Sequence, residues 1–357
     1  MPEPERPLDS AGFAKAAYEA ALGREFPTDV FCAPQLRWAV IGCGVIANQM
    51  ADSLALAGRR IEGVANRHAE KARAFAAAHD VPRVYQTFEE LYADPNIDAI
   101  YITTPHNTHI GFLRGALAAG KHVLCEKSIT LNSEELVEAR ELARAHGVVL
   151  MDATTILHMP LYRELLRRSR AGEFGRMNLA QLNFGSYKPY DLATRFYNPS
   201  LAVGAMLDIG VYALSLARLF MDEAPDEVVS LANRCETGVD VTSGIVARNA
   251  EGQMAVLSLS LHSKQPKRAV LSFDRCYVEV MEYPRADRAV ITWTKDGRRE
   301  EVRAGEEAYA LCYEMADLER AAAGDEAAAG LIDVAADVMD LMTRLRREWG
   351  VTYPEEL

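Results

Sequence analysis

The sequence predicts an α/β fold with a doubly wound parallel sheet in its N-terminal half and a mostly antiparallel, open sheet in an α+β C-terminal half. From Leu36 to about residue 155, apolar strand segments such as "LRWAVIG" and "DAIYITT" alternate with helix-length segments joined by short turns. Such alternation is typical of a parallel sheet covered by helices on both faces. Beyond residue 155, β-rich segments follow one another, and "NAEGQ" between two of them is typical of a hairpin turn.

The change of pattern divides the chain into three regions. Residues 1–35 form an extension with a predicted helix around "FAKAAYEAAL", and residues 36–155 form the parallel α/β domain. Residues 156–357 form the α+β domain, which we expect to bind substrate and to mediate oligomerisation. Its last two predicted helices, "AYALCYEMADLERAAAG" and "AAAGLIDVAADVMDLMTRLRREWG", are expected to pack back on one of the two domains.

The composition restricts the class of partner. With 357 residues, 49% of them hydrophobic, and a formal charge of −12, the chain offers little attraction to nucleic acid or to an anionic membrane. Its six cysteines are scattered without metal-ligand spacing, so we expect reduced thiols and no metal. The N-terminus has no apolar core of the kind a secretory signal needs, and no stretch reaches the roughly 18 consecutive apolar residues of a membrane span. A cytoplasmic protein acting on small molecules is expected.

A glycine motif follows the first predicted strand. In "GCGVIA", Gly42 permits a tight turn, Gly44 lets the backbone approach a diphosphate, and Ala47 allows close packing of helix on sheet. Val45 and Ile46 open the helix whose N-terminus would attract the phosphate charge. The position between a strand and a helix predicts a dinucleotide site in a Rossmann-type domain, whereas a purely structural turn is the alternative.

The end of the second strand bears on the choice of cofactor. An NAD site usually has an acidic residue there, but "VANR" places Asn66 and Arg67 at that position. Arg67 can pair with a 2′-phosphate and Asn66 does not repel it, so NADP is favoured, with NAD possible. Glu62 is also at a suitable distance from the glycines but lies within the predicted strand. Alternatively, Arg67 is an ordinary solvated arginine.

Polar residues also follow the fourth strand, in "TTPHNTH". Ligands of open α/β sheets bind at the carboxyl ends of the strands, which is where this segment lies. Asn107 or Thr108 could instead simply cap the next helix. The predicted cofactor contacts of the segment are Thr104, Pro105, His106 and His109.

The fifth strand ends in "CEK", which places Glu126 and Lys127 at the same edge of the sheet. An ammonium beside the nicotinamide can hold a substrate oxygen and stabilise the charge that develops during hydride transfer. Glu126 is expected to contact the cofactor. The alternative is a surface lysine paired with Glu126.

From residue 36 to about residue 350, the chain resembles the glucose-fructose oxidoreductase/inositol dehydrogenase family (Gfo/Idh/MocA). The resemblance is carried by "GCGVIA", "TTPHNTH", "GKHVLCEKS" and "RFYNPSLAVGAMLDIGVYAL". It implies that Lys127 is catalytic or positions the substrate, and that Asp208 and Tyr212 match the family signature D-x-x-x-H or D-x-x-x-Y. Arg195 and Tyr197, just upstream, are expected to line the substrate cleft.

Asp208 and Tyr212 lie four residues apart on a predicted helix, so both side chains should face the same cleft. We expect Tyr212 to exchange the proton of the substrate hydroxyl, with Lys127 favouring the phenolate, and Asp208 to bind substrate or orient the lysine. Ser128 stands where the family usually has proline. The tyrosine resembles the branch that contains dimeric dihydrodiol dehydrogenase and NADP-linked sugar dehydrogenases.

The resulting prediction is an NADP-dependent oxidoreductase acting on the CH–OH group of a carbohydrate-like or cyclic diol substrate. It would interconvert an alcohol and a ketone, or an aldose and its lactone. One alternative is a non-catalytic dinucleotide-binding sensor or partner protein, and another is NAD-dependent elimination or hydrolysis of glycosides by transient oxidation. The resemblance also implies a homodimer or homotetramer, formed through the open face of the second sheet.

Overall fold

The computed structural model describes residues 17–192 and 194–357. The predicted helix of the N-terminal extension lies partly outside these ranges, and residues 17–21 are helical. The strands of the first sheet are β1 Trp38–Ile41, β2 Gly63–Ala65, β3 Arg83–Val84, β4 Ala99–Ile102, β5 His122–Cys125 and β6 Leu150–Asp152. They pair in parallel in the order β3-β2-β1-β4-β5-β6, so the predicted parallel sheet is confirmed.

Helices connect these strands and cover the sheet. Every residue of β1 and β4 is buried, which explains why these strands read as uninterrupted apolar runs. Asn132 starts the fifth helix by accepting a hydrogen bond from the Glu135 N–H at 2.9 Å, and Gly147 ends it in the left-handed conformation. The helices are α1 Val45–Leu56, α2 Ala69–His79, α3 Phe88–Ala93, α4 His109–Ala118 and α5 Ser133–His146.

The second sheet follows from β7 Met177–Gly185, β8 Glu227–Arg234, β9 Asp240–Arg248, β10 Met254–Ser260, β11 Gln265–Phe273, β12 Cys276–Met281, β13 Arg288–Trp293 and β14 Arg299–Arg303. Their order is β14-β13-β12-β11-β7-β10-β9-β8, and all neighbours are antiparallel except β7 and β10. The mostly antiparallel sheet is thus confirmed. The hairpin predicted at "NAEGQ" joins β9 to β10, with the Asn249 N–H donating to the Gln253 carbonyl at 3.1 Å.

The helices of the second half are α6 Pro160–Arg170, α7 Val211–Phe220, α8 Ala310–Ala322, α9 Glu326–Ala329 and α10 Leu331–Glu348. Helix α7 packs on β7 and β10, whereas α8 packs on α1 and β5 of the first domain. Glu319 of α8 accepts a hydrogen bond from the buried Trp38 indole at 3.0 Å and pairs with Arg59 at 2.6 Å. Helix α10 packs on α7 and also on α5. The N-terminal sheet is therefore completed by a helix from near the end of the chain.

The two faces of the second sheet differ in exposure. The face opposite α7 is open and apolar around Val229 and Leu231, which are 76% and 82% exposed.

The segment Pro199–Phe220 is apolar and long enough to cross a membrane by length and composition, with a mean hydropathy of 1.7. However, 83% of that window is buried inside the protein, so it has the placement of a core helix.

Candidate active site

The turn between β1 and α1 forms an open cradle. Gly42 has φ +104° and a Cβ there would lie 2.5 Å from the Thr103 hydroxyl, so only glycine fits this turn. A Cβ on Gly44 would meet nothing within 4 Å, and this residue begins α1 without a capping side chain in the described chain. The amide groups of the first turn are thus available to an anion, and the cradle fits the diphosphate of a dinucleotide. Val45, 65% exposed, borders the same opening, and Ile46 follows it.

The carboxyl end of β2 carries the two residues predicted to select the cofactor. The Asn66 side chain accepts a hydrogen bond from the His68 N–H at 2.8 Å, which fixes the backbone after the strand. Arg67 is exposed, and within the described ranges its guanidinium makes no hydrogen bond or ion pair. Glu62 precedes β2, and its carboxylate pairs with Arg60 at 3.3 Å. Arg67 is therefore a cation at this strand end with no partner in the described part of the chain.

A cavity of about 540 Å³ adjoins the glycine turn and lies between the two domains. Its lining includes Gly44, Val45 and Gln49 from the first domain and Arg285 and Glu307 from the second. The Arg285 guanidinium donates a hydrogen bond to the Gln49 amide oxygen at 3.2 Å. Sequence reasoning missed Arg285 because it lies in a single 3₁₀ turn between β12 and β13 that carries no motif.

Lys127 follows β5 and points toward the second domain. Its ammonium donates to the Asp208 backbone carbonyl at 2.7 Å and lies 3.3 Å from Asp208 Oδ1. It also sits 4.9 Å from the centre of the Tyr212 ring. No hydrogen bond within the described residues uses the Tyr212 hydroxyl. The three residues predicted to be catalytic are thus brought together, and the phenol remains available to a ligand.

The helix predicted to carry Asp208 and Tyr212 differs locally from expectation. Met206–Gly210 is a π-helical turn, and α7 begins only at Val211. The regular i, i+4 spacing assumed for a continuous α-helix therefore does not apply across this pair, although both side chains still reach Lys127. Turns of this kind occur frequently at functional sites.

The charges around Lys127 determine the ionisation of its neighbours. Burial alone would raise the pKa of Asp208, but the charges of Lys127, Arg195 and Lys188 outweigh it and lower the pKa to about 2. Burial opposes the charge of Lys127, yet the electrostatic influence of Tyr212 and Asp208 leaves its pKa raised. The lysine is therefore a cation and Asp208 a carboxylate at neutral pH.

The structure supports only part of the expectation that Lys127 favours the phenolate of Tyr212. The charge of Lys127 does lower the pKa of this phenol, but burial raises it more, and the net shift is upward. Tyr212 is therefore protonated at neutral pH in the free protein.

His106 and His109 hold the backbone around Lys127. The His106 ring nitrogens contact the carbonyls of Ala202 and Lys127 at 2.8 and 3.0 Å. Those of His109 contact the carbonyls of Thr104 and Ser128 at 2.8 and 3.0 Å. Burial lowers the pKa of His106 to about 3. All four ring nitrogens thus face backbone carbonyls of the protein, and a neutral imidazole, which has one N–H, can donate to one of its two carbonyls.

The remaining residues of "TTPHNTH" are also engaged. The Thr108 hydroxyl donates to the Pro105 carbonyl at 2.7 Å and lies 2.8 Å from the Thr104 hydroxyl. The Asn107 amide donates to the Ser200 carbonyl at 3.1 Å. Thr108 occupies the N-cap position of α4, but neither its side chain nor that of Asn107 makes a capping hydrogen bond. Thr104 and Pro105 are accessible at the end of β4.

Glu126 and Ser128 flank the lysine. The Tyr101 hydroxyl donates to the Glu126 carboxylate, and the Lys127 N–H lies 3.2 Å from its other oxygen. Burial raises the pKa of Glu126. The Lys127–Ser128 peptide bond is cis, and the buried Ser128 hydroxyl donates to the Leu207 carbonyl at 3.0 Å. Glu126 is therefore not the ion-pair partner of the Lys127 ammonium, because Asp208 has that position.

The two predicted substrate residues differ in accessibility. Arg195 is 60% exposed and its guanidinium lies 3.5 Å from Asp208 Oδ1, so it borders the site. Tyr197 has no exposed surface, and its hydroxyl donates to the Lys188 carbonyl at 3.0 Å. The expectation that Tyr197 lines the cleft is corrected, because a side chain packed against Tyr190 and His262 supports the loop instead.

Two family models match most of this architecture. Residues 36–154 match the Gfo/Idh/MocA oxidoreductase family model with an NAD-binding Rossmann fold, and residues 162–280 match the Gfo/Idh/MocA C-terminal domain. The chain belongs to the Gfo/Idh/MocA family. This membership confirms the resemblance predicted from the sequence, and the Rossmann domain of a Gfo/Idh/MocA oxidoreductase binds NAD or NADP.

Curated relatives within the Gfo/Idh/MocA family include trans-1,2-dihydrobenzene-1,2-diol dehydrogenases. The Sus scrofa enzyme is 28% identical over 90% of this chain and 99% of its own length, and the Xenopus laevis enzyme is 30% identical over 73% and 79%. Similar solved structures include a 3-ketoreductase from Actinomadura kijaniata in complex with NADP and TDP-benzene (TM-score 0.76, 21% identity, 88% and 98% coverage). An aldose-aldose oxidoreductase from Caulobacter crescentus complexed with glycerol has a TM-score of 0.78 at 21% identity, with the same coverage. At these identities the two structures show a shared fold.

Proposed function

We propose that this protein transfers a hydride between NADP(H) and the CH–OH or carbonyl carbon of a cyclic diol or carbohydrate-like substrate. The observation that carries the proposal is the Lys127 ammonium, which Asp208 holds beside the free Tyr212 hydroxyl at the carboxyl end of β5. The dihydrodiol dehydrogenases, at 28% and 30% identity, support a vicinal diol or a similar polyol as substrate.

The strand end at Asn66 and Arg67 supports NADP over NAD. The exposed Arg67 guanidinium, without a partner in the described chain, can form charge-assisted hydrogen bonds with a 2′-phosphate. Asn66 supplies no carboxylate that would repel this group or bind a ribose diol in its place. The glycine cradle would hold the diphosphate, and the bound nicotinamide supplies or accepts the hydride.

Lys127 has a donor available for the reacting oxygen. An ammonium has three N–H groups, and two are directed at the carbonyl and carboxylate of Asp208. The third can donate to the substrate oxygen and stabilise negative charge on it as the carbon–hydrogen bond changes. Asp208 thus orients the lysine, and because its carboxylate is ionised it also keeps the lysine charged.

Tyr212 supplies the proton transfer in this proposal. In the reductive direction, its phenol gives a proton to the carbonyl oxygen while the carbon receives the hydride. In the oxidative direction, the phenolate takes the hydroxyl proton while the hydride leaves the carbon. Because burial keeps Tyr212 protonated at neutral pH, the free enzyme is poised for reduction.

The proposal is tested by single-turnover kinetics with trans-1,2-dihydrobenzene-1,2-diol, cyclic polyols and aldoses. Lys127→Met keeps the side-chain length but removes the charge and the donors. We expect hydride transfer to slow about 10²- to 10³-fold, with little change in NADP affinity. Lys295→Met, at an exposed hairpin position, is the matched control and should retain the wild-type rate.

Two outcomes would contradict the proposal. If Lys127→Met transferred hydride within a few-fold of the wild-type rate, the lysine would have no part in the chemistry. If the wild-type protein bound NADP tightly but turned over no member of the panel, the non-catalytic sensor would become the better hypothesis.

A further inference from the structure

Arg285 is a cation at the boundary of the two domains for which the sequence motifs give no role. It lies in the turn Tyr283–Arg285 of the second domain and lines the 540 Å³ cavity opposite the glycine turn. Its guanidinium donates a hydrogen bond to the Gln49 amide oxygen, and Gln49 lies in the first two turns of α1. At 3.2 Å, and with a neutral acceptor, this is a weak tether for a guanidinium.

The charge of Arg285 also reaches the catalytic edge of the sheet. Burial raises the pKa of Glu126 and of Tyr212, and the Arg285 charge acts against that rise at both residues. Arg285 therefore lines the cavity beside the glycine turn and is near enough to the group around Lys127 for its charge to act there. A dinucleotide whose diphosphate occupied the cradle would have this cavity, and Arg285 in its lining, beside it.

We propose that Arg285 binds the diphosphate of the dinucleotide from the second domain, as a cofactor-positioning residue. This inference rests on the proposed function. The α1 N-terminus offers N–H donors to one side of the diphosphate, and the planar guanidinium can donate to oxygens on the other side. Binding would replace the hydrogen bond to Gln49, whose amide oxygen can turn to water.

This role differs from that of Arg67 in a measurable way. The diphosphate is common to NADP and NAD, whereas the 2′-phosphate is present only in NADP. Arg285 should therefore contribute equally to both cofactors, and Arg67 mainly to one. Adenosine 2′-monophosphate (2′-AMP) carries the 2′-phosphate but neither phosphate of the diphosphate, so its binding should depend on Arg67 and not on Arg285.

The experiment measures dissociation constants of NADP, NAD and 2′-AMP by calorimetry for Arg285→Gln, Arg285→Lys and Arg67→Ala. Loss of a charge-assisted contact should weaken both NADP and NAD about ten- to a hundred-fold in Arg285→Gln and leave the affinity for 2′-AMP unchanged. Arg285→Lys should restore part of the affinity. Arg288→Gln, an exposed position on β13, is the matched control and should bind all three ligands normally.

Three results would overturn the inference. If Arg285→Gln bound both cofactors with wild-type affinity, Arg285 would make no contact with the diphosphate. A lower Tm of this variant would then assign Arg285 a role in stability, through its charge near buried carboxylates. An equal loss for 2′-AMP would indicate general damage to the site. A loss confined to NADP would assign Arg285 to the 2′-phosphate. Because binding is measured without turnover, a failure of the proposed reaction would not be mistaken for a failure of this inference.

Discussion

The raised pKa of Tyr212 predicts a strong pH dependence of oxidation. Oxidation needs the phenolate as base, and burial places the pKa of this phenol above its ordinary value of about 10. At pH 7 fewer than about one molecule in a thousand carries the phenolate. The value of kcat/KM for oxidation should therefore rise about tenfold per pH unit, or about a hundredfold from pH 7 to pH 9.

The reductive direction should behave differently over the same range. Reduction uses the protonated phenol, which is almost fully populated below the raised pKa, so kcat/KM for reduction should be nearly flat from pH 7 to pH 9. Asp208, with a pKa of about 2, stays ionised throughout and cannot produce a change. His106, with a pKa lowered to about 3 by burial, is neutral throughout and cannot produce one either.

The assay is stopped-flow absorbance of the nicotinamide with substrate below saturation, because kcat/KM reports the ionisation of the free enzyme. Tyr212→Phe should lose the rising limb as well as most of the rate, whereas Tyr277→Phe, on the open face of the second sheet, should keep both. Lys127→Met should move the rising limb to higher pH, since the Lys127 charge lowers the pKa of Tyr212. An oxidation rate that is flat above pH 7 would refute the assignment and require a base with a lower pKa.

Three further predictions concern the cofactor site and the assembly. Arg67→Ala should weaken the binding of NADP about ten- to a hundred-fold and that of NAD much less, because only NADP has the 2′-phosphate. The control Arg73→Ala, at an exposed position, should change the affinity for neither cofactor. Equal weakening of both cofactors in calorimetry would contradict the role of Arg67. Gly44→Ala should leave the Tm unchanged, because the new Cβ meets no protein atom within 4 Å, but it should reduce cofactor affinity. Gly42→Ala should lower the Tm even without cofactor, because the new Cβ would lie 2.5 Å from the Thr103 hydroxyl. If copies associate through the open sheet face, Leu231→Lys should reduce the mass measured by analytical ultracentrifugation; an unchanged mass would place the interface elsewhere.

Much of the site could be predicted because it depends on local geometry at strand ends. The parallel strands bring Gly42, Arg67 and Lys127 to one edge of the sheet whatever the details of packing. The family signature added Asp208, which lies 81 residues from Lys127 and which no local pattern could have paired with it. These features follow from topology and from short motifs.

The ionisation of the site could not be predicted in the same way. The sequence shows that Lys127 is a cation near Tyr212, but whether the phenol loses its proton depends on burial, which outweighs the charge here. The burial of Tyr197 and the engagement of the His106 ring likewise depend on the loops that pack over them. Arg285 reaches the cavity only because a turn of the second sheet lies against α1.

Helix α8 follows the second sheet in the sequence but packs on the first domain, which affects folding during synthesis. Leu311, Met315 and Leu318 belong to the same apolar core as Trp38, and Glu319 satisfies the Trp38 indole. A growing polypeptide that ends before Ala310 would leave this core partly open and the indole N–H without its acceptor. The dinucleotide domain can therefore reach its final stability only after α8 has left the ribosome, so nascent chains should acquire tight cofactor binding only after that point.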